Sequence, residues 1–176
     1  MTDYDVIIAG GGMVGASLAH ALAGGGLRVA VVEPVPPAAK AQPSYDDRAI
    51  ALAYGTRRIL EGLGVWAELA PHAEPIRRVH VSDRGRFGFT HLDARDEDAD
   101  ALGYVVTARD LGTVLLAPLA RAAAGASGFS PTGSAAGAVG GKVGDVGRKV
   151  DLLCPARVAE FVVEPDGVRV TIEPVT

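Results

Sequence analysis

The chain has 176 residues, 48% of them hydrophobic and 22% charged, so it can bury a core and has the balance of a globular protein. Its formal net charge is −4 with no basic stripe, which gives a nucleic-acid partner no electrostatic support. A single cysteine, Cys154, excludes a disulfide framework within the chain and fits a reducing compartment.

Tyr4 to Ala9 reads YDVIIA, a β-branched run expected to form a strand buried on both faces. Gly10, Gly11 and Gly12 follow, and Met13 to Ala23 is rich in good helix formers. Gly24 to Gly26 supply a helix stop, and Leu27 to Val32 reads as a second strand closed by Glu33. This is a βαβ unit of ordinary size. The apolar stretch from Val6 to Val32 is long enough for a membrane span, but two glycine clusters, His20 and Arg28 interrupt it. Asp3 and Asp5 stand where a signal peptide would carry positive charge.

Four prolines between Pro34 and Pro43 predict an extended loop. Asp46 and Asp47 offer cap oxygens for a helix over Arg48 to Leu63, with apolar residues at Ile50, Ala53, Ile59, Leu60 and Leu63. Arg78 to Leu92 reads as two short strands joined at Asp83–Gly88, and the charge run Asp93 to Asp100 as a solvated loop. Tyr104 to Thr107 is a brief strand, after which Asp110 can cap a helix through Leu111, Val114, Leu115 and Leu119. Pro118 predicts that this helix kinks or ends early. Gly125 to Lys149 is about a third glycine, against about 7% on average, and reads as a flexible insertion. Val150–Leu153 and Arg157–Val163 are strand-like, and Asp166-Gly167 predicts a hairpin turn into Val168–Ile172.

Gly10-Gly11-Gly12-Met13-Val14-Gly15 matches G-x-G-x-x-G in the context that gives it meaning: after a strand, opening a helix, with an acid ending the next strand. Gly10 permits the tight turn, Gly12 lets a pyrophosphate approach the backbone, and Gly15 lets the helix pack on the sheet. The helix N-terminus offers N–H groups and positive dipole to phosphate. Glu33 can accept ribose hydroxyls and repels a 2′-phosphate, against NADP. The fingerprint alone leaves FAD and NAD open. The extended loop and Arg48 at the expected helix start favour FAD, since a cation returning there could neutralise the pyrophosphate. Arg48 could equally pair with Asp46 or Asp47. His72, His80 and His91 lack ligand spacing and no nucleophile–base pair stands out, so no metal or catalytic residue is assigned. Cys154 reads as a small buried hydrophobe.

The runs YDVIIAGGGMVGASLAHAL (Tyr4–Leu22), DDRAIALAYGTRRILEGLGVWAELA (Asp46–Ala70), VHVSDRGRFGF (Val79–Phe89) and CPARVAEFVVEPDGVRVTIE (Cys154–Glu173) resemble the flavin hydroxylases of ubiquinone biosynthesis, specifically the 2-octaprenyl-6-methoxyphenol hydroxylase type. VHVSDRG discriminates best, since cofactor binding does not demand it. The resemblance implies an α/β chain: a Rossmann-like FAD-binding βαβ domain of the 4-hydroxybenzoate hydroxylase fold with a few strands of the substrate domain. Residues 1–176 would be the N-terminal portion of a single FAD-binding domain, with 125–149 an insertion. It implies an FAD-dependent aromatic-ring monooxygenase using NADH or NADPH, O₂ and a polyprenylated phenol. A cytoplasmic chain visiting the inner-membrane surface, and a place in a ubiquinone-biosynthesis complex, are further implications. Gly10, Gly12, Gly15, Glu33, Arg48 and Arg109 would contact FAD, and the backbone of Val158 would meet the adenine. Arg109 could instead pair only with Asp110, and Val158 could be plain strand core. The family's later flavin-binding motifs would follow Thr176, so this chain alone is expected to retain FAD weakly and not to hydroxylate. An NAD-dependent dehydrogenase and a non-catalytic nucleotide-binding module remain as alternatives.

Overall fold

The computed structural model describes residues 4–36, 46–125 and 149–175. The extended-loop expectation between 37 and 45, and all but the ends of the expected insertion, lie outside them. In chain order the elements are β1 (Val6–Ala9), α1 (Met13–Leu22), β2 (Arg28–Val32), β3 (Ala49–Ala53), α2 (Tyr54–Gly62), α3 (Trp66–Leu69), β4 (Glu74–Ile76), β5 (Arg78–Ser82), β6 (Phe89–Asp93), β7 (Gly103–Thr107), α4 (Ala108–Gly125), β8 (Lys149–Leu153), β9 (Ala156–Glu164) and β10 (Gly167–Pro174). They form two compact units, 46–111 and the remainder.

In the unit that holds the termini, β1, β2 and β8 form a parallel sheet in that order. β2 is central, and Val29, Ala30, Val31 and Val32 are all buried, which suits its uninterrupted apolar run. Each buried valine contributes roughly 1.5 kcal/mol or more over an exposed one. Among the described residues β1 pairs on one side only, with β2, and of its four residues only Ile8 is fully buried, short of the expected burial on both faces. The inner face of α1 carries Ala16, Ala19 and His20. His20 is buried and its Nε2 donates to the Leu115 carbonyl at 2.9 Å, tying α1 to α4. Tyr4 reaches past β2 to donate its hydroxyl to Asp151 on β8 at 3.0 Å. β9 and β10 form a hairpin whose two-residue loop is Pro165-Asp166, one position before the expected turn.

In the 46–111 unit, β3, β7 and β4 form an antiparallel sheet, and β5 and β6 a separate hairpin. Here the expected helix over Arg48–Leu63 is corrected. Its first part is strand β3, and only Tyr54–Gly62 is helical. The run AIALA suits either state, and five consecutive pairings with β7 decide it. Trp66 packs edge-on against Tyr104 at 4.9 Å, and the Arg57 guanidinium lies over the Tyr54 and Trp66 rings. The charge run holds a short 3-10 turn, Ala94–Glu97, anchored by buried Ala94. Thr107 caps α4: its Oγ1 accepts from the Asp110 N–H at 3.0 Å and donates to the Asp110 carboxylate at 2.6 Å. α4 runs on past Pro118, where an early end was one expectation.

Candidate functional site

The glycine loop is built by close packing. The Gly10 N–H donates to the Val32 carbonyl at 2.8 Å, extending the β1–β2 ladder. The chain then turns at Gly10 with φ +99°, a conformation that excludes most side chains. Gly12 is the N-cap of α1 in an extended conformation and has no side chain to cap the helix, and no acid sits in the first turn. The positive pole of α1 is therefore left to an external anion. Gly15 lies so close to the turn that a Cβ there would sit 2.0 Å from the Gly10 carbonyl oxygen and 3.1 Å from Ile8 Cγ2. Only hydrogen fits.

Glu33 stands at the end of β2, 6% exposed. Its Oε2 accepts the Gly11 N–H at 2.6 Å and its Oε1 accepts the Val35 N–H at 2.8 Å. Its own backbone bonds the Leu153 carbonyl and the Ala156 N–H, at 3.0 and 2.9 Å. A Cβ on Gly11 would meet Glu33 Cβ at 3.1 Å. The carboxylate therefore holds the glycine loop, while its remaining lone pairs can still accept hydroxyl donors. Sequence reasoning missed this role of Gly11; the signal was available in the third adjacent glycine, which the fingerprint does not require. Beside Glu33, burial and then the nearby carboxylate push the Cys154 thiol up to about 11, so it stays protonated at neutral pH.

The two arginines lie in the 46–111 unit. Arg48 precedes a strand rather than a helix, and its Nε is ion-paired to Asp46. Arg109 begins α4, and its Nε donates to Asp47 Oδ1 at 2.8 Å. The Arg109 backbone N–H donates to the Asp46 carbonyl at 2.8 Å, and the Arg48 carbonyl accepts from Ala108 at 2.9 Å. The strand pairing of β3 with β7 thus carries both arginines to one end of their sheet. The hydrogen bond and charge of Arg109 hold the Asp47 carboxyl below its usual range. Both guanidiniums are exposed. Val158 is a partly buried residue of β9 packed on Ala30, Val32, Leu153 and Ala156, beside a bulge where the β9–β10 register shifts. His80 and His91, which their sequence spacing kept apart, face each other across β5 and β6 with ring nitrogens at 2.8 Å.

A glycine turn that admits no Cβ, an uncapped helix start and a buried acid at the next strand's end are the parts of a dinucleotide-binding domain. The family pattern described as "FAD binding domain" matches residues 3–131, and the chain belongs to that family. FAD is therefore its cofactor, and the NAD reading is set aside. The chain is 38% identical over 117 residues to the ubiquinone hydroxylase UbiL of Rhodospirillum rubrum, covering 66% of this chain and 27% of that protein. It is 38% identical over 106 residues to the 3-demethoxyubiquinol 3-hydroxylase of Escherichia coli, covering 58% and 26%. The chain thus spans about a quarter of the length of these relatives. Among solved structures, p-nitrophenol 4-monooxygenase PnpA from Pseudomonas putida matches with TM-score 0.60 at 18% identity, over 96% of this chain and 38% of that one. PqsL, a probable FAD-dependent monooxygenase from Pseudomonas aeruginosa, matches with TM-score 0.59 at 21% identity, over 98% and 40%. These two establish the fold, as the resemblance in the sequence led one to expect.

Proposed function

We propose that the chain is the N-terminal FAD-binding part of a monooxygenase that hydroxylates a phenolic, polyprenylated ubiquinone precursor. The observation that carries this is the glycine turn locked by Glu33, in a chain whose relatives are named as ubiquinone hydroxylases. In this reading the N–H groups at the start of α1, above Gly10, Gly12 and Gly15, receive the pyrophosphate. Glu33 accepts the adenosine ribose hydroxyls while keeping its bonds to Gly11 and Val35, and it disfavours a 2′-phosphate. Arg48 and Arg109 exchange their aspartates for oxygens of the FAD. The Val158 backbone meets the adenine. When bound, FAD carries electrons from NADH or NADPH to O₂ and supplies the oxygen that enters the ring. No helix among the described residues is long and apolar enough to cross a membrane. We read the whole protein as a cytoplasmic enzyme that meets its substrate at the inner-membrane surface, within a ubiquinone-biosynthesis complex.

A hybrid enzyme tests the reading. The chain replaces the matching N-terminal segment of the Escherichia coli 3-demethoxyubiquinol 3-hydroxylase, and hydroxylated product is measured. The expected result is FAD-dependent product, lost on Gly15→Ala. A hybrid that folds and holds FAD yet forms no product contradicts the proposed activity.

A further inference from the structure

The β5–β6 hairpin is a surface that the FAD site does not use. Its strands pair in register, with Arg78, His80 and Ser82 opposite Asp93, His91 and Phe89. The connecting turn is fixed: the Arg86 N–H donates to the Asp83 carbonyl at 3.2 Å, and Gly85 and Gly88 take φ of +81° and +121°. That backbone holds Phe87 out at the tip, fully exposed at 110%, with Phe89 next to it at 70%. Arg84 and Arg86 precede the two rings in the turn. Arg86 has Asp83 as an exposed ion partner at 3.2 Å. The charges are also segregated along the hairpin. Residues 83–89 carry two arginines and one aspartate, whereas the far end, residues 77–78 and 93–100, carries five acids and three arginines, Arg78 being ion-paired to Asp93.

From this arrangement we propose that the hairpin tip docks on an anionic phospholipid surface, with Phe87 entering the interface and Arg84 and Arg86 at headgroup level. An aromatic ring held in water by a rigid turn has no partner within the hairpin. The two arginines of the turn match the negative potential of an anionic leaflet, and the far end, with two more acids than arginines, does not, so the tip is presented first. Apolar insertion and cationic attraction together are the two contributions that reversible interfacial binding needs. The proposal rests on the membrane-surface reading given above but not on the flavin chemistry, and a vesicle test without FAD or substrate keeps the two apart.

The test is sedimentation of the chain with vesicles of phosphatidylcholine, with or without about 30 mol% phosphatidylglycerol, in the absence of FAD and substrate. The expected partition onto anionic vesicles is about tenfold above that onto neutral ones at low salt, and it falls with added salt. The double variant Arg84→Gln/Arg86→Gln removes that excess, and Phe87→Ser lowers binding by about tenfold. Phe161→Ser, at a 66% exposed ring on β9, leaves binding unchanged and controls for general stickiness. Circular dichroism confirms that every variant is folded. Equal binding to both vesicle types, binding that survives Phe87→Ser, or a folded chain that stays in the supernatant overturns the proposal. The last outcome assigns the tip to a protein contact instead.

Discussion

Glu33 and Arg109 are both charged residues that the sequence marks for one ligand, and the fold holds them in opposite ways. Glu33 is buried at the end of a strand whose last four residues are all buried, and both of its carboxylate oxygens accept backbone N–H groups. Arg109 is exposed and held by Asp47, a neighbour that solvent also reaches. The first arrangement is set by packing and cannot rearrange without disturbing the glycine turn. The second is an ion pair in water, where such pairs contribute little to stability and exchange partners easily. Under the proposed function the two differ in kind: Glu33 belongs to a preformed cradle around Gly10–Gly15, whereas the ion pair that holds Arg109 is one an incoming anion can replace.

Substitution at the cradle is the strongest way to break this comparison. Gly15→Ala drives a methyl into the Gly10 carbonyl, and urea unfolding is expected to show a loss of about 3 kcal/mol or more, with FAD binding abolished. Glu33→Gln comes next. It keeps the shape but sets an amide NH₂ against one of the two backbone N–H groups, with an expected cost of about 1–3 kcal/mol and a fall in FAD affinity. Arg109→Gln should sharpen the contrast: an unfolding midpoint close to that of the parent chain, but FAD affinity lower by about tenfold, as for one charged hydrogen bond. The smallest effect is a titration. Arg109 depresses the Asp47 carboxyl, so the stabilisation from this pair is full above the ordinary aspartate value and is lost as pH falls through the depressed one. Carboxyl NMR should place the Asp47 inflection below 3.8 in the parent and return it to the usual range in Arg109→Gln.

What the sequence revealed follows the same division. The glycine fingerprint was legible because spacing alone fixes which residue turns, which caps and which packs. The β5–β6 hairpin was legible as two short strands joined at Asp83–Gly88. Strand β3 was not, because Ala49–Ala53 has no strong preference of its own and its partner β7 lies some fifty residues on. The extension of α4 past Pro118 was also hidden, since the burial of Leu115, Leu116 and Leu119 outweighs one missing hydrogen bond. The second role of Glu33 was hidden because a contact between its carboxylate and the Gly11 backbone leaves no mark in spacing. The arginines were found by residue type, but their present partners depend on β3 being a strand.

The most direct test of the cradle is an FAD titration of the chain followed by backbone amide NMR. Saturable shifts are expected at Gly10 to Gly15, Glu33 and Val35, reproduced by ADP and absent in folded Glu33→Gln at the same concentrations. Saturable FAD binding that leaves those amides unmoved would contradict the cradle as the binding site.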